Sequence, residues 1–441
     1  MLYNRLNRRS FLKAASFAPA AFYFVPGRAL GKEALAAAND RINVGCIGVG
    51  DRGTVVMRGF LNDRTAQVVA VCDVKSHVLK EKRELVNTYY DHSSCAAYKD
   101  FRELVARDDI DVCQVATCDH WHVLASLYAV RAGKDVYCEK PMGLTLEEDQ
   151  TLRREIHERE RIFQFGTQQR SDPKFEMACR LVREGKIGEV KGINIWCSGS
   201  SAGGDPTPVP VPEWLDYDLW LGPAPTKPYT RDRCSNALWW FISDYALGFI
   251  AGWGIHPVDI AFWGAPEKFK SPWTIQGTGV FPTQGVADTA LTWDITLCTG
   301  AGTTVRYTSH PCPEEWSKRY EDQNDHGTAF EGTEGWVYVR RGKLSTYPKS
   351  ILENAKFPEG SDTYENSTNA HVSNFLESVR TRKSPRSEID VSVHGDMFCH
   401  VSDIAIRLKR ELRFDTDRER FIGDNEANAR LSRPMRKPWH L

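Results

Sequence analysis

Lys140 stands in Cys138-Glu139-Lys140-Pro141. A lysine there could exchange a proton with a substrate hydroxyl if burial or a neighbouring cation lowers its pKa. Other residues with chemical potential are spread along the chain. Gly48-Val49-Gly50-Asp51-Arg52-Gly53 is a GxGxxG, and Asp73 stands 20 residues beyond its last glycine. That spacing suits a dinucleotide: glycines let backbone N–H groups approach a pyrophosphate at a helix N-terminus, and the acid accepts from a ribose 2′-OH while repelling a 2′-phosphate. The pattern favours NAD over NADP, although Lys75 just beyond Asp73 leaves NADP open. The positive nicotinamide ring of NAD would lower the pKa of Lys140, and a cis bond before Pro141 would turn that lysine toward a substrate. In Gly254-Ile255-His256-Pro257-Val258-Asp259, His256 and Asp259 share a helix face, where Asp259 would orient the imidazole or hold a substrate hydroxyl.

Such groups work only if rigid elements bring them together. From Ile42 onward, short apolar runs alternate with longer amphipathic ones, the rhythm of strand–helix–strand units in a parallel sheet. Strands are expected at Ile42–Ile47, Gln67–Val71, Val112–Ala116, Asp135–Cys138 and Phe163–Phe165, with helices over KSHVLKEKRELVNTYY and WHVLASLYAVRAG. Ligands of open parallel sheets gather at the carboxyl ends of the strands, which brings the glycine turn, Asp73 and Lys140 to one edge. Beyond residue 170, ADTALTWDITL, GTTVRYTSH and GWVYVRR have the composition and partial alternation of antiparallel strands, while HVSNFLESVRT and VHGDMFCHVSDIAIRLKREL have helical spacing.

Composition narrows the alternatives. With 441 residues, 41% hydrophobic and 26% charged, the chain has room for two domains. Lys+Arg 57 against Asp+Glu 58 leaves no basic excess for a nucleic-acid partner. The 12 cysteines form no CxxC pair and no zinc-type cluster with histidine, and several sit in apolar strand runs. Neither a metal site nor a disulfide framework is therefore expected. Arg8-Arg9-Ser10-Phe11-Leu12-Lys13 and the apolar run that follows read as a twin-arginine export signal over residues 1–38, implying a periplasmic destination. The run is shorter than the ~20 residues of a spanning helix, so no stable membrane insertion is expected. That route carries folded cargo, and an exported protein using a nicotinamide would have to carry it out already bound.

Taken in order, Gly48-x-Gly50-x-x-Gly53, Ala116-Thr117-Cys118-Asp119-His120-Trp121-His122, Glu139-Lys140-Pro141, Gly166-Thr167-Gln168-Gln169-Arg170-Ser171 and Gly254-Ile255-His256-Pro257-Val258-Asp259 resemble the Gfo/Idh/MocA family, which includes glucose–fructose oxidoreductase and inositol dehydrogenase. The resemblance covers nearly the whole chain after the signal. It implies an α/β protein: a Rossmann domain with a doubly wound parallel sheet over 39–165, and an α+β domain over 166–441 with an open, mainly antiparallel sheet that makes oligomer contacts. The last helices would pack back on the first domain. By the same resemblance Lys140 is the catalytic lysine and His256, with Asp259, its acid/base partner. Gly48, Gly50, Arg52, Gly53, Asp73, Thr117, His120, Trp121, Glu139 and Lys140 would hold the cofactor, and Arg170, Tyr245, Trp253 and His256 would meet the substrate. Many dehydrogenases of this family carry an aspartate four residues before the histidine. This chain has Gly252 there, and Asp244 is the nearest acid on that side.

The family mostly oxidises or reduces a secondary alcohol of a sugar or cyclitol, so the resemblance implies an NAD(P)-dependent oxidoreductase with a small sugar, glycoside or cyclitol as substrate. One branch instead cleaves glycosides through transient oxidation at C3, elimination and re-reduction; it often varies the EKP motif, which is intact here. A sugar-binding protein without turnover is the third reading, and intact Lys140 and His256 speak against it. Gly199–Cys234 is rich in Gly and Pro, and a connection that long is usually functional or an interaction arm. Its tryptophans either stack on sugar faces or anchor the loop.

Overall fold

The computed structural model describes residues 41–235, 238–355 and 365–441. The expected export signal at 1–38 lies outside them.

Six parallel strands form the first sheet: β1 (Ile42–Ile47), β2 (Ala66–Cys72), β3 (Ala96–Tyr98), β4 (Val112–Val115), β5 (Asp135–Cys138) and β6 (Phe163–Phe165), in the order β3-β2-β1-β4-β5-β6. The order reverses at β1, the switch point where doubly wound sheets bind ligands. Strands β4, β5 and β6 are buried throughout, as a parallel sheet covered on both faces requires. The connecting helices include α1 (Asp51–Asn62), α2 (Ser76–Tyr90), α3 (Asp119–Arg131) and α4 (Leu146–Glu158). Helix α3 is buried nearly all round, from Asp119 to Val130, which explains why its sequence shows little amphipathic alternation.

After α5 (Pro173–Arg183), begun by Asp172, which caps Lys174 N at 2.8 Å, the chain enters a nine-stranded sheet. Its strands are β7 (Val190–Cys197), β8 (Trp273–Val280), β9 (Thr292–Cys298), β10 (Thr304–Ser309), β11 (Gly327–Gly332), β12 (Trp336–Arg340), β13 (Lys343–Tyr347), β14 (Leu412–Asp415) and β15 (Arg420–Phe421). Their order is β13-β12-β11-β7-β10-β9-β8-β14-β15. Only the β7–β10 pair is parallel, so the sheet is mainly antiparallel, in agreement with the sequence. Helices α6 (Ile255–Gly264) and α8 (Ile389–Leu408) pack on this sheet.

A long helix between them in sequence, α7 (Glu365–Thr381), crosses back to the first sheet. Its Val372, Phe375 and Leu376 are fully buried among the apolar residues of α1 and β1, and the Phe375 ring meets Phe60 edge-on with centroids 6.3 Å apart. Backbone bonds reinforce the crossing: Phe165 N donates to Ser387 O at 2.9 Å. All twelve cysteines are unpaired and ten are buried, where they serve as small apolar side chains.

Candidate active site

At the end of β1 two glycines are fixed by sterics. A Cβ on Gly48, whose φ is +75°, would lie 2.6 Å from Ala116 O, and one on Gly53 would lie 2.0 Å from Gly48 O. Gly50 is different: a Cβ there would meet no protein atom within 4 Å. It borders a cavity, and α1 begins directly after it without a side-chain cap. The cavity lies against the start of α1, where a helix N-terminus favours an anion. Asp73, just past β2, accepts from Val49 N at 3.1 Å and Lys75 N at 2.9 Å, and burial raises its pKa. Open space at Gly50, an uncapped helix and an acid at the next strand end together fit a dinucleotide such as NAD.

Thr117, Trp121 and Lys140 line the same cavity, and Trp220 from the long connection, with Trp239 and Trp240 just beyond that stretch, closes over it. Trp121 holds that cover in place, its Nε1 donating to Leu219 O at 3.1 Å and Trp220 O at 3.2 Å. His120 does the same from one residue earlier. Its Nε2 lies 3.0 Å from Trp220 O, its ring sits 5.1 Å from that of Tyr245, and burial pushes its pKa down to about 3. Expected along the cofactor, His120 is instead a neutral buried fastener for the arm. Tyr245, expected at the substrate, is fully buried in the arm's own core and accepts from Arg233 Nη1 at 3.2 Å. Of the two roles left open for the tryptophans of Gly199–Cys234, Trp220 packs the loop, its ring 4.7 Å from Tyr245. Trp240 is 37% exposed at the cavity rim, where a ligand can reach it.

At the end of β5, Glu139 accepts from Arg52 Nε at 2.9 Å and Gln168 Nε2 at 2.7 Å. Against the effect of burial, Arg52 and Lys140 hold its carboxyl below the usual range. Lys140 donates from Nζ to Gly252 O at 2.6 Å, and the Lys140–Pro141 peptide is cis. Burial lowers the lysine pKa, outweighing Glu139 and Asp119. His122 spans two strand ends, with Nδ1 2.6 Å from Pro141 O and Nε2 3.1 Å from Thr117 O.

His256 is 3% exposed and its Nδ1 has no hydrogen-bond partner. Burial, then Arg341 and Lys140, push its pKa well below that of free histidine, so the ring is neutral. Asp259 does not orient it. Both Asp259 oxygens accept from Arg170, at 2.7 to 2.9 Å, in an ion pair with side chains 5% and 2% exposed. The substrate role expected for Arg170 and the catalytic role expected for Asp259 thus give way to a buried clamp between η-turn 168–171 and α6. Trp253 is likewise engaged by protein: Arg341 lies 4.2 Å over its ring, and His256 and His326 lie 5.2 Å and 5.1 Å away.

Sequence reasoning passed over Asp119 within a motif it had singled out. This residue opens α3, lines the cavity with Lys140, is 2% exposed, and leaves Oδ2 without a partner. Burial pushes its carboxyl pKa well up, with Lys140 opposing. The available signal was its position, first in a helix that follows a strand end. Also missed was Asp149, Asp396 and His400, whose ligand-type atoms lie within 4.8 Å of one another beneath the turn after Pro141. Asp396 Oδ2 accepts from Met142 N at 2.9 Å, tying that turn to α8.

Comparison with known proteins agrees with this geometry. Residues 42–167 match the family model described as "Oxidoreductase family, NAD-binding Rossmann fold", and residues 186–441 match "Oxidoreductase family, C-terminal alpha/beta domain". The chain is 32% identical over 203 residues to glycosyl hydrolase family 109 protein 2 of Shewanella sp. (strain ANA-3), covering 42% of this chain and 44% of that protein. It is 38% identical over 115 residues to a glycosyl hydrolase family 109 protein of Saccharopolyspora erythraea, covering 25% of each. The chain thus spans less than half the length of these relatives. Among solved structures, levoglucosan dehydrogenase in complex with NADH and L-sorbose superposes with TM-score 0.63 at 15% identity, covering 85% of this chain and 99% of that one. The aldose-aldose oxidoreductase of Caulobacter crescentus gives 0.61 at 17% identity, covering 85% and 100%. These two share the fold. Matched by family models over both halves, the chain belongs to the Gfo/Idh/MocA oxidoreductase family.

Proposed function

We propose that this protein oxidises a secondary hydroxyl of a sugar, glycoside or cyclitol with a retained NAD. The observation that carries the reading is a buried lysine with lowered pKa in the wall of the cavity that begins at the glycine turn. Bound NAD would supply the two-electron acceptor. Lys140, whose free-amine form burial favours, takes the hydroxyl proton, while Glu139, fixed by Arg52 and Gln168, keeps the strand end in place. His256, with Nδ1 unpartnered and its pKa lowered by burial, is the second proton acceptor that the family resemblance implies.

A second reading is favoured by the relatives named glycosyl hydrolase family 109 proteins. In that reading the same oxidation, at C3, acidifies the C2 proton, the glycosidic oxygen is eliminated, water adds and the ketone is reduced again. Both readings suit an exported enzyme that leaves with its cofactor bound, which is what Arg8-Arg9 supports. We also propose that copies associate through the open sheet, which light scattering in solution would test.

The deciding experiment starts from purified protein. Its absorbance and fluorescence report bound nicotinamide, and glycosides are then added without external NAD. Accumulating reduced cofactor with a keto sugar supports the oxidoreductase, and released aglycone without net reduction supports the glycosidase. Absence of turnover both with and without added NAD would overturn the two together.

A further inference from the structure

A lysine that takes a proton at every turnover must also lose one. The carbonyl that Gly252 presents to Lys140 Nζ accepts a hydrogen bond but cannot carry the proton away. The acids that face Lys140 are Glu139 and Asp119, and Arg52 and Arg341 are the cations. Glu139 is already committed to Arg52 and Gln168 and is held ionised against its burial. Asp119 is in the opposite condition. Its Oδ2 is buried in the wall of the shared cavity and meets no donor, a costly state for a polar group. Lys140 is the cation that faces it, and Asp396 and Glu139 are the neighbouring acids.

We infer that Asp119 is the proton-relay partner of Lys140. The inference rests on the oxidoreductase reading above. At rest the pair shares one proton, and in the microstate that reacts it lies on Asp119 and the amine of Lys140 is free. A bound NAD would supply the two-electron acceptor for the electron pair and hydrogen of the substrate C–H bond. The O–H proton forms a new N–H bond on Lys140, and the Asp119 O–H proton leaves to cavity water. Transfer of a proton from the ammonium to the Asp119 carboxylate, through water in the cavity that both line, restores the starting pair. One proton enters from substrate and one leaves to water, so the balance closes. Asp119 acts through Lys140 and is a positioning and relay residue.

The test has two independent readouts on wild type and Asp119→Asn, with Asp119→Ser as the substitute should Asn not fold. The first needs no substrate: the rate at which acetic anhydride labels Lys140, followed by mass spectrometry across pH, gives the apparent pKa of that lysine. Loss of the carboxylate is expected to lower it by about one unit or more. An unchanged value overturns the pairing. The second uses a glycoside turned over by the wild type. Asp119→Asn is expected to lower kcat roughly 10²-fold and alter its pH profile, with bound NAD unchanged and KM within about threefold. Wild-type kcat and profile in the variant overturn the relay and leave the oxidoreductase reading standing. A labelling shift in a protein whose wild type turns over nothing brings down that reading and the relay with it.

Discussion

Lys140 and Gly252 are joined by a 2.6 Å hydrogen bond from Nζ to a backbone carbonyl. The carbonyl does not titrate, so burial dominates the lysine and lowers its pKa. Lys140→Ala is expected to reduce turnover by about 10²–10⁴-fold while leaving bound NAD in place. Persistent activity would remove Lys140 from the mechanism.

Gly252→Asp reverses the electrostatics. A Cβ there has only Phe249 Cδ1 within 4 Å, at 3.8 Å, so the substitution has room to start. A carboxylate beside the ammonium raises the lysine pKa, so the acid limb of kcat/KM is expected to move up by roughly one unit. A pH–rate profile checks this, and an unmoved limb would show that the limb does not belong to Lys140.

The glycine turn separates folding from binding. Gly50→Ala places its methyl in open space and is expected to keep the thermal midpoint while weakening NAD retention about tenfold, or ~1.4 kcal/mol. Gly53→Ala drives a Cβ to 2.0 Å from Gly48 O and is expected to destabilise the fold by about 1–3 kcal/mol or more. Asp73→Ala should lower bound NAD and relax discrimination against NADP. Nucleotide content and melting curves of the three variants would distinguish these outcomes.

Asp259→Asn leaves the buried Arg170 without its counter-charge. The expected cost is about 3–5 kcal/mol of stability. The pH profile of the folded fraction should be unchanged, since Asp259 does not contact His256. A shifted profile would restore Asp259 to the catalytic set.

His371 is buried with both nitrogens used: Nδ1 accepts from Ser171 Oγ at 2.8 Å and Nε2 donates to Phe165 O at 2.8 Å. Burial lowers its pKa to about 4. A histidine depressed in the folded state stabilises fully above its unfolded pKa near 6.5, and loses that contribution as protons bind the unfolded chain on the way down to the folded value. His371→Gln should therefore be less stable than wild type at pH 8, and the gap should narrow by about 3 kcal/mol between pH 6.5 and 4. Denaturant titrations across that range measure the gap, and a constant difference would mean His371 does not titrate as its burial implies.

What the sequence disclosed was chemistry between neighbours in the chain. The GxGxxG, Asp73 and Lys140 each lie at the end of an apolar run, and strand ends of a parallel sheet converge, so their meeting could be anticipated. Strand β3, three residues with no buried position, carried too little apolar pattern to be seen. Helical spacing suggested that Asp259 serves His256, but spacing counts partners within one helix, and the stronger partner, Arg170, arrives from 89 residues away. The same blindness hid Asp119 beside Lys140 and Asp149 beside Asp396 and His400, which come from separate elements. His120 and Tyr245 were expected at the site through the family resemblance; their burial in the arm is a tertiary fact.

The crossing of α7 onto α1 also fixes a time order. The sheet that holds the nucleotide is translated first, yet part of its apolar cover, Val372, Phe375 and Leu376, leaves the ribosome near the end of synthesis. Domains ordinarily fold as units, the N-terminal one first. Here the nascent nucleotide half must wait for the last quarter of the chain, so cofactor capture belongs to the finished polypeptide, and a ribosome stalled before α7 would hold a sheet that has been made but not yet closed.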